Sequence, residues 1–227
     1  MNQNIYTSAY YSLFVQFIIA IICLLGTFIK INNEDQILYE LLVLETVVQI
    51  IQFSFYLWLV FNFSNIKIDI SIVRYYDWFF TTPIMLFSLI CFMIYIYNKN
   101  NFLPTEDLSL VSIYNGNSNI LTKIIISNSL MLILGYLGEL NVISKAFGFV
   151  SGTLLLFYVF YYIYITFVQE QSVNKIMFWF NFIVWSGYGI AYLLSHKNKN
   201  TIYNILDVFS KNINALFILL FIFFKYY

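Results

Sequence analysis

Seven long apolar runs dominate this chain, at roughly 7–31, 36–62, 70–98, 119–138, 143–169, 174–195 and 200–225. A helix needs about 20 apolar residues to cross a hydrocarbon core ~30 Å thick, and each run supplies them. In hydrocarbon every backbone N–H and C=O must be satisfied within the spanning segment, so runs of this length are read as helices. Composition agrees: of 227 residues, 61% are hydrophobic and 10% charged, whereas a soluble domain is about one-quarter charged. The expected architecture is an all-α, multi-pass integral membrane protein of a host cell or organelle membrane. Residues 1–227 would form a single seven-transmembrane-helix bundle surrounded by lipid.

The connections are short and polar, as in Asn32-Asn33-Glu34-Asp35 and Ser195-His196-Lys197-Asn198-Lys199-Asn200. The exception is 99–118, which contains Pro104 and Gly116. Ile66-Lys67-Ile68-Asp69-Ile70 alternates with period two and would suit a short hairpin cap. The start, Met1-Asn2-Gln3-Asn4-Ile5-Tyr6, has no positive region or small-residue cleavage site, so the first helix is expected to serve as its own insertion signal. Lysines fall five against four on the two sides and do not orient the bundle. The formal net charge is zero and no basic cluster occurs, so nucleic acid is not an expected partner. Cys23 and Cys91 lie within apolar runs and read as small fillers, with neither a disulfide framework nor a metal site expected. His196 reads as a loop residue.

Against this apolar background the seventh run carries Asp207-Val208-Phe209-Ser210-Lys211-Asn212. Asp207 and Lys211 are four apart, hence one turn apart on one helix face. An ionisable side chain at that depth costs at least ~3 kcal/mol, so intramembrane charges default to function. Lysine also forms a Schiff base with a carbonyl compound. The pair therefore points to a protonated imine beside its counter-ion; the plainer alternative is an ion pair that holds helices in register.

The third run begins Arg74-Tyr75-Tyr76-Asp77-Trp78-Phe79-Phe80-Thr81-Thr82-Pro83. Arg74 is the chain's single arginine, and Asp77 lies three residues on. Thr81 follows four after Asp77, so its hydroxyl is in reach of the carboxylate, and Pro83 would kink the helix. One imine and Arg74 balance two aspartates. The second run adds Glu40, Glu45, Gln49 and Gln52; the last three form one polar stripe, which must face the bundle interior. Inter-helix hydrogen bonding or a wet path for protons or cations would each account for it. Ser12 and Gln16 in the first run are not diagnostic.

Arg-Tyr-x-Asp-Trp-x-x-Thr-Thr-Pro in a third helix, with Asp-x-x-x-Lys in a seventh, resembles the microbial (type 1) rhodopsins over the whole chain. The resemblance implies all-trans retinal in the bundle interior, bound as a Schiff base on Lys211. Asp77 would be the primary counter-ion and proton acceptor, and Asp207 the second counter-ion. Trp185-Ser186-Gly187-Tyr188 is similar to the family's Trp-Ser-x-Tyr and would set Trp185 and Tyr188 against the polyene. By the same comparison Trp78, Thr82, Met85, Met131, Tyr192 and Ser210 belong to the cofactor site, with Tyr56 near Asp207. The pattern Asp77, Thr81, Ser88 is similar to giant-virus rhodopsins: a serine, Ser88, stands where pumps carry a helix-three carboxylate. A helix-four pocket aspartate appears as Asn128, and the helix-six proline as Gly189. No carboxylate pair for rapid proton release is recognisable on the amino-terminal side.

Three functions follow from the resemblance, none of them enzymatic. The first is an outward proton pump, with Asp77 as acceptor and Glu45 in place of the missing donor. The second is a light-gated cation channel whose pore is lined by Glu45, Gln49, Gln52 and Asn212. The third is a photosensory receptor, which would need a separate transducer because no effector domain is seen. The transported species would be protons or small cations, and a homo-oligomer is common in the family.

Overall fold

The computed structural model describes residues 3–226. Seven helices run back and forth: α1 (Gln3–Gly26), α2 (Gln36–Asn62), α3 (Ile70–Asn100), α4 (Leu110–Glu139), α5 (Lys145–Val168), α6 (Ser172–Tyr192) and α7 (His196–Tyr226). Met1, Asn2 and Tyr227 lie outside the described residues, so the reading of the extreme amino terminus does too. Six of the seven helices are long and apolar enough to cross a membrane. The seventh, α6, falls short because Asn174, Lys175, Asn181 and Ser186 dilute its apolar residues. The bundle inverts a soluble protein: Phe28, Phe61, Phe80 and Leu154 face outward, while Arg74, Glu45, Gln49, Asp77 and Asp207 are buried. That is the arrangement lipid demands.

Three sequence expectations change. No strand occurs among the described residues, so 66–70 is not a hairpin cap. Its alternation has no partner strand to pair with, and Asp69 instead caps α3 by accepting the Ser71 N–H at 2.9 Å. α4 starts at Leu110, well before residue 119, because Ser109 and Ser112 form a reciprocal capping box and the Glu40 carboxylate accepts the Leu110 N–H at 2.7 Å. The polar stretch Asn115–Asn119 is thus helical, with the distortion confined to Asn117 (φ −125°, ψ 15°). α7 likewise starts at His196, so the supposed loop holding His196 is its first turn.

α7 contains one irregularity. Over Val208–Asn212 the α-helical pitch widens to a π turn, and this turn carries Ser210, Lys211 and Asn212, all buried. Such bulges concentrate at functional sites. A second π turn, Tyr164–Val168, ends α5.

Both ends of the bundle are tied by charge. Where α7 ends, buried Asp35 accepts from Tyr95 at 2.7 Å, Tyr226 at 2.6 Å and Lys225 at 2.6 Å. Where α1 begins, buried Lys199 bridges Glu139 at 2.6 Å and Asp69 at 3.5 Å. These are called here the carboxy-terminal and amino-terminal sides.

Candidate functional site

Lys211 lies mid-way along α7, 1% exposed, and the π turn aims its ammonium at α3. There it forms an ion pair with Asp77 Oδ2, while Asp207 Oδ1 stands 3.8 Å away. The two aspartates are held differently. Asp207 accepts from Tyr56 at 2.7 Å and Arg74 at 3.2 Å on one oxygen, and from Trp78 at 3.1 Å and Tyr188 at 2.8 Å on the other. Asp77 Oδ2 meets only Lys211, and its Oδ1 has no hydrogen-bond partner. Two cations, Lys211 and Arg74, thus balance two carboxylates in a site closed to solvent.

Thr81 departs from expectation. Its hydroxyl donates at 2.9 Å to the main-chain carbonyl of Asp77, not to the carboxylate. A threonine four residues on in a helix reaches that carbonyl more directly, and the carboxylate is turned toward Lys211. Asn128 donates to the Thr82 hydroxyl at 2.8 Å, cross-linking α4 to α3.

Below Asp207 the polar groups form a continuous chain. Arg74 donates to Tyr56 at 2.9 Å, to Asn204 Oδ1, and through Nε to Asn200 Oδ1 at 3.3 Å. Asn200 in turn donates to Asp69 at 3.2 Å. Asp69 also faces His196 at 3.1 Å and Lys199 at 3.5 Å. Burial works to raise the Asp69 carboxyl, but the Ser71 hydroxyl and N–H and the Lys199 charge hold it below its usual range. The sequence shows no carboxylate pair on this side; the fold makes one, bringing Glu139 from α4 and Asp69 from before α3 onto the same lysine. Seventy residues separate them, so no local spacing could announce it.

A cavity of about 790 Å³, part of it open to the surroundings, runs from Lys211 between α3, α4, α5 and α6. Its walls include Trp78, Thr82, Met85, Met131, Trp185, Tyr188, Tyr192 and Ser210, all expected from the sequence. Tyr56 stands beside Asp207 as expected, but it belongs to the Asp207–Arg74 network and does not line the cavity. Tyr75, Tyr203 and Phe149 were not anticipated, because aromatics are too abundant here to stand out. Trp78 packs edge-on against Tyr188 and Tyr203, at 5.3 and 5.0 Å between ring centres. Gly152 and Gly189 thin the far wall; a Cβ there would meet nothing closer than 3.8 Å.

On the carboxy-terminal side of Lys211, the helix-two stripe faces inward as expected. Gln49 and Gln52 donate to the main-chain carbonyls of Lys211 at 3.1 Å and Asp207 at 3.0 Å. Glu45 is 1% exposed. Its carboxyl stands near the Ser88 hydroxyl of α3, close enough to interact but not in hydrogen-bond geometry.

Known proteins decide the family. The family model for bacteriorhodopsin-like proteins matches residues 7–224. The chain belongs to the bacteriorhodopsin-like family. Its structure is similar to viral rhodopsin OLPVRII, with 26% identity, a TM-score of 0.83, and coverage of 98% of this chain and 99% of that one. The sequence resemblance to viral rhodopsins is thereby borne out. Xanthorhodopsin, described as a light-driven ion pump with dual chromophore, has the same fold at 17% identity and TM-score 0.74, covering 99% and 94%. So does halorhodopsin from Halobacterium salinarum, at 15% identity and TM-score 0.68, covering 97% and 93%. Among curated proteins none matches the chain significantly.

Members of this family bind retinal through a Schiff base to a lysine, and this chain is a retinal protein of that kind. The residues present fit the cofactor. A long, aromatic-walled cavity ends at a buried lysine, and Trp185 Nε1 in its wall has no partner within the protein. Lys199, the other fully buried lysine, is absent from the cavity wall and is committed to Glu139 and Asp69.

Proposed function

We propose that the chain is a light-driven proton pump that carries retinal on Lys211 and moves protons toward its amino-terminal side. Bound retinal supplies a light-driven change at the Lys211 nitrogen that weakens its hold on a proton. Asp77 is the acceptor: it already contacts that nitrogen through Oδ2, and its Oδ1 is uncommitted. Asp207 is less free to take the role, because four donors already occupy its two oxygens. Arg74 keeps the pair of carboxylates neutralised and links them toward Asn200 and Asp69. Thr81 fixes the α3 backbone at Asp77. Glu45 returns a proton to Lys211 from the opposite side, with Ser88 as the α3 group that faces it.

The observation that carries this reading is the asymmetry of the two paths from Lys211. Toward the amino-terminal side, hydrogen-bonded groups run without a break from Asp207 through Arg74 and Asn200 to Asp69. Beyond Glu45, buried Leu38, Leu41, Leu42, Phe92 and Ile222 separate it from the Asp35 cluster. A pump needs such a barrier on one side, so that the proton returns only through a titratable group.

The channel reading draws support from Gln49 Oε1, Gln52 Oε1 and the whole Asn212 amide, which have no partners. Against it, Gln49 and Gln52 spend their N–H groups binding α7 to α2, and the apolar layer closes the path. Replacing Glu45 with Gln tests the pump reading. The Lys211 nitrogen should then stay unprotonated at least roughly tenfold longer, the size expected for losing a general acid, and a small weak acid in the buffer should restore the rate. An unchanged recovery time would remove Glu45 as donor.

A further inference from the structure

Gln16 was unremarkable in the sequence, yet α1 places it at a revealing depth. One turn toward the amino terminus, Ser12 donates to the Asn204 carbonyl of α7 at 2.9 Å. One and two turns the other way, Ile19 and Cys23 pack on Ala215 of α7. Gln16 therefore sits at the level of the π turn, between Asn204 and Ala215. It is 0% exposed, and neither atom of its amide has a hydrogen-bond partner.

Asn212 reaches the same place from α7. Ser210 points to α6, where it meets the Tyr188 hydroxyl at 2.7 Å, and Lys211 points to α3. One further step of helical rotation turns Asn212 toward α1 and α2, both of which pack on the π turn. Its amide, 2% exposed, also has both polar atoms unpartnered. From α2, Gln49 presents an unpartnered Oε1 while its N–H holds the Lys211 carbonyl, and Glu45, one turn away, presents an unpartnered Oε2. Helix register thus brings four buried side chains from three helices to one level of the bundle, with three carbonyl-type acceptors, one carboxyl oxygen and two amide donors left over. Buried polar groups are satisfied by protein or by ordered water, and a water needs two to four such partners.

We propose that Gln16, Gln49 and Asn212 enclose a buried hydration site between α1, α2 and α7 that connects the Glu45 carboxyl to the Lys211 turn. The assignment of its role rests on the pump reading above; its existence does not. The site makes the return path run along α1 and α2, away from the α3 position that Ser88 occupies. It also explains why three amides stand in a stretch of membrane helix where leucine would be cheaper. In the dark protein the site is closed, by the apolar layer on one side and by the Gln52–Asp207 and Arg74 bonds on the other.

The test uses the full chain with retinal in lipid vesicles, kept dark, with isotope-labelled side-chain amides followed by solid-state NMR. Magnetisation started on water should reach the side-chain amides of Gln16, Gln49 and Asn212, and should fade only slowly after transfer to D₂O. Amides reached solely from neighbouring protein protons would overturn the site. Gln16→Leu should remove the water signal at Asn212 and slow proton return to Lys211 by roughly tenfold, about 1.4 kcal/mol on the barrier. Should Gln16→Leu fail to assemble, Gln16→Met is the milder replacement with the same expectation. Persistent water at Asn212 in either variant would also overturn it. Failure of Glu45→Gln to slow recovery, with the water signals intact, would sink the donor and leave the hydration site standing.

Discussion

The two halves of this bundle, divided at Lys211, handle buried polarity in opposite ways. Toward the amino-terminal side, Asp207, Arg74, Tyr56, Asn204, Asn200 and Asp69 hold one another through direct contacts. Toward the carboxy-terminal side, Glu45, Ser88, Gln16 and Asn212 leave polar atoms unpartnered inside a wall of Leu, Ile and Phe. The first half is a fixed field, arranged before any proton moves. The second holds Glu45 apart from the Asp35 cluster at its end by an apolar layer. Buried charge is tolerated where it is paired and hydrogen-bonded. In the proposed pump, a proton leaves into the charged half and is replaced from the side of Glu45.

The sharpest way to break this comparison is at its dividing point. Lys211→Ala should abolish retinal binding, and with it visible absorption, whereas Lys199→Met should keep the absorption band. Lys199→Met should instead lower stability by about 3–5 kcal/mol, the typical cost of stranding a buried charge, visible as a lower unfolding temperature. A colourless Lys199→Met together with a coloured Lys211→Ala would reverse the assignment of the cofactor lysine.

Within the charged half, Asp77→Asn should shift absorption to the red and stop proton transfer, because the Lys211 nitrogen loses its direct counter-charge. A spectrum that does not move would remove Asp77 from that position. Arg74→Gln should leave two carboxylates facing one cation, and thermal unfolding should report a loss similar to that of Lys199→Met. A stability equal to that of the parent would mean that the network of Asp207 does not depend on the guanidinium.

The smallest expected effect lies at the amino-terminal end. Asp69 is held below its ordinary range by Ser71 and Lys199. A carboxyl with a lowered folded pKa contributes stability above its unfolded value, about 3.9, and loses that contribution as pH falls through the folded value. The unfolding temperature should therefore drop on acidification below about pH 4, the unfolded value just given, and less steeply in Asp69→Asn. Identical pH profiles would show that Asp69 is not held as described.

Much of this was legible in the sequence, for reasons particular residues make plain. Asp207 and Lys211 announce themselves because no other charged residue stands between Lys199 and Lys225, and Arg74 and Asp77 because helical spacing ties them together. The cavity wall followed from motif positions, and Tyr56 stands near Asp207 as expected without lining the cavity, because proximity to Asp207 and contact with the cavity are not the same thing. The helix-four start was hidden: Asn115, Gly116 and Asn117 read as loop, and only the Glu40 and Ser109 caps, one of them seventy residues away, hold them helical. The Glu139–Lys199–Asp69 cluster and the depth of Gln16 depend on how distant helices stack. No spacing along one helix reveals that.

In the proposed pump, one path from Lys211 is open to protons and the other is gated by Glu45. Photocurrent under voltage clamp, with retinal supplied and the membrane potential swept over its full range, tests it most directly. The current should keep one sign, toward the amino-terminal side, at every potential. A current that reverses near a cation equilibrium potential would contradict it and make the helix-two stripe the lining of a pore.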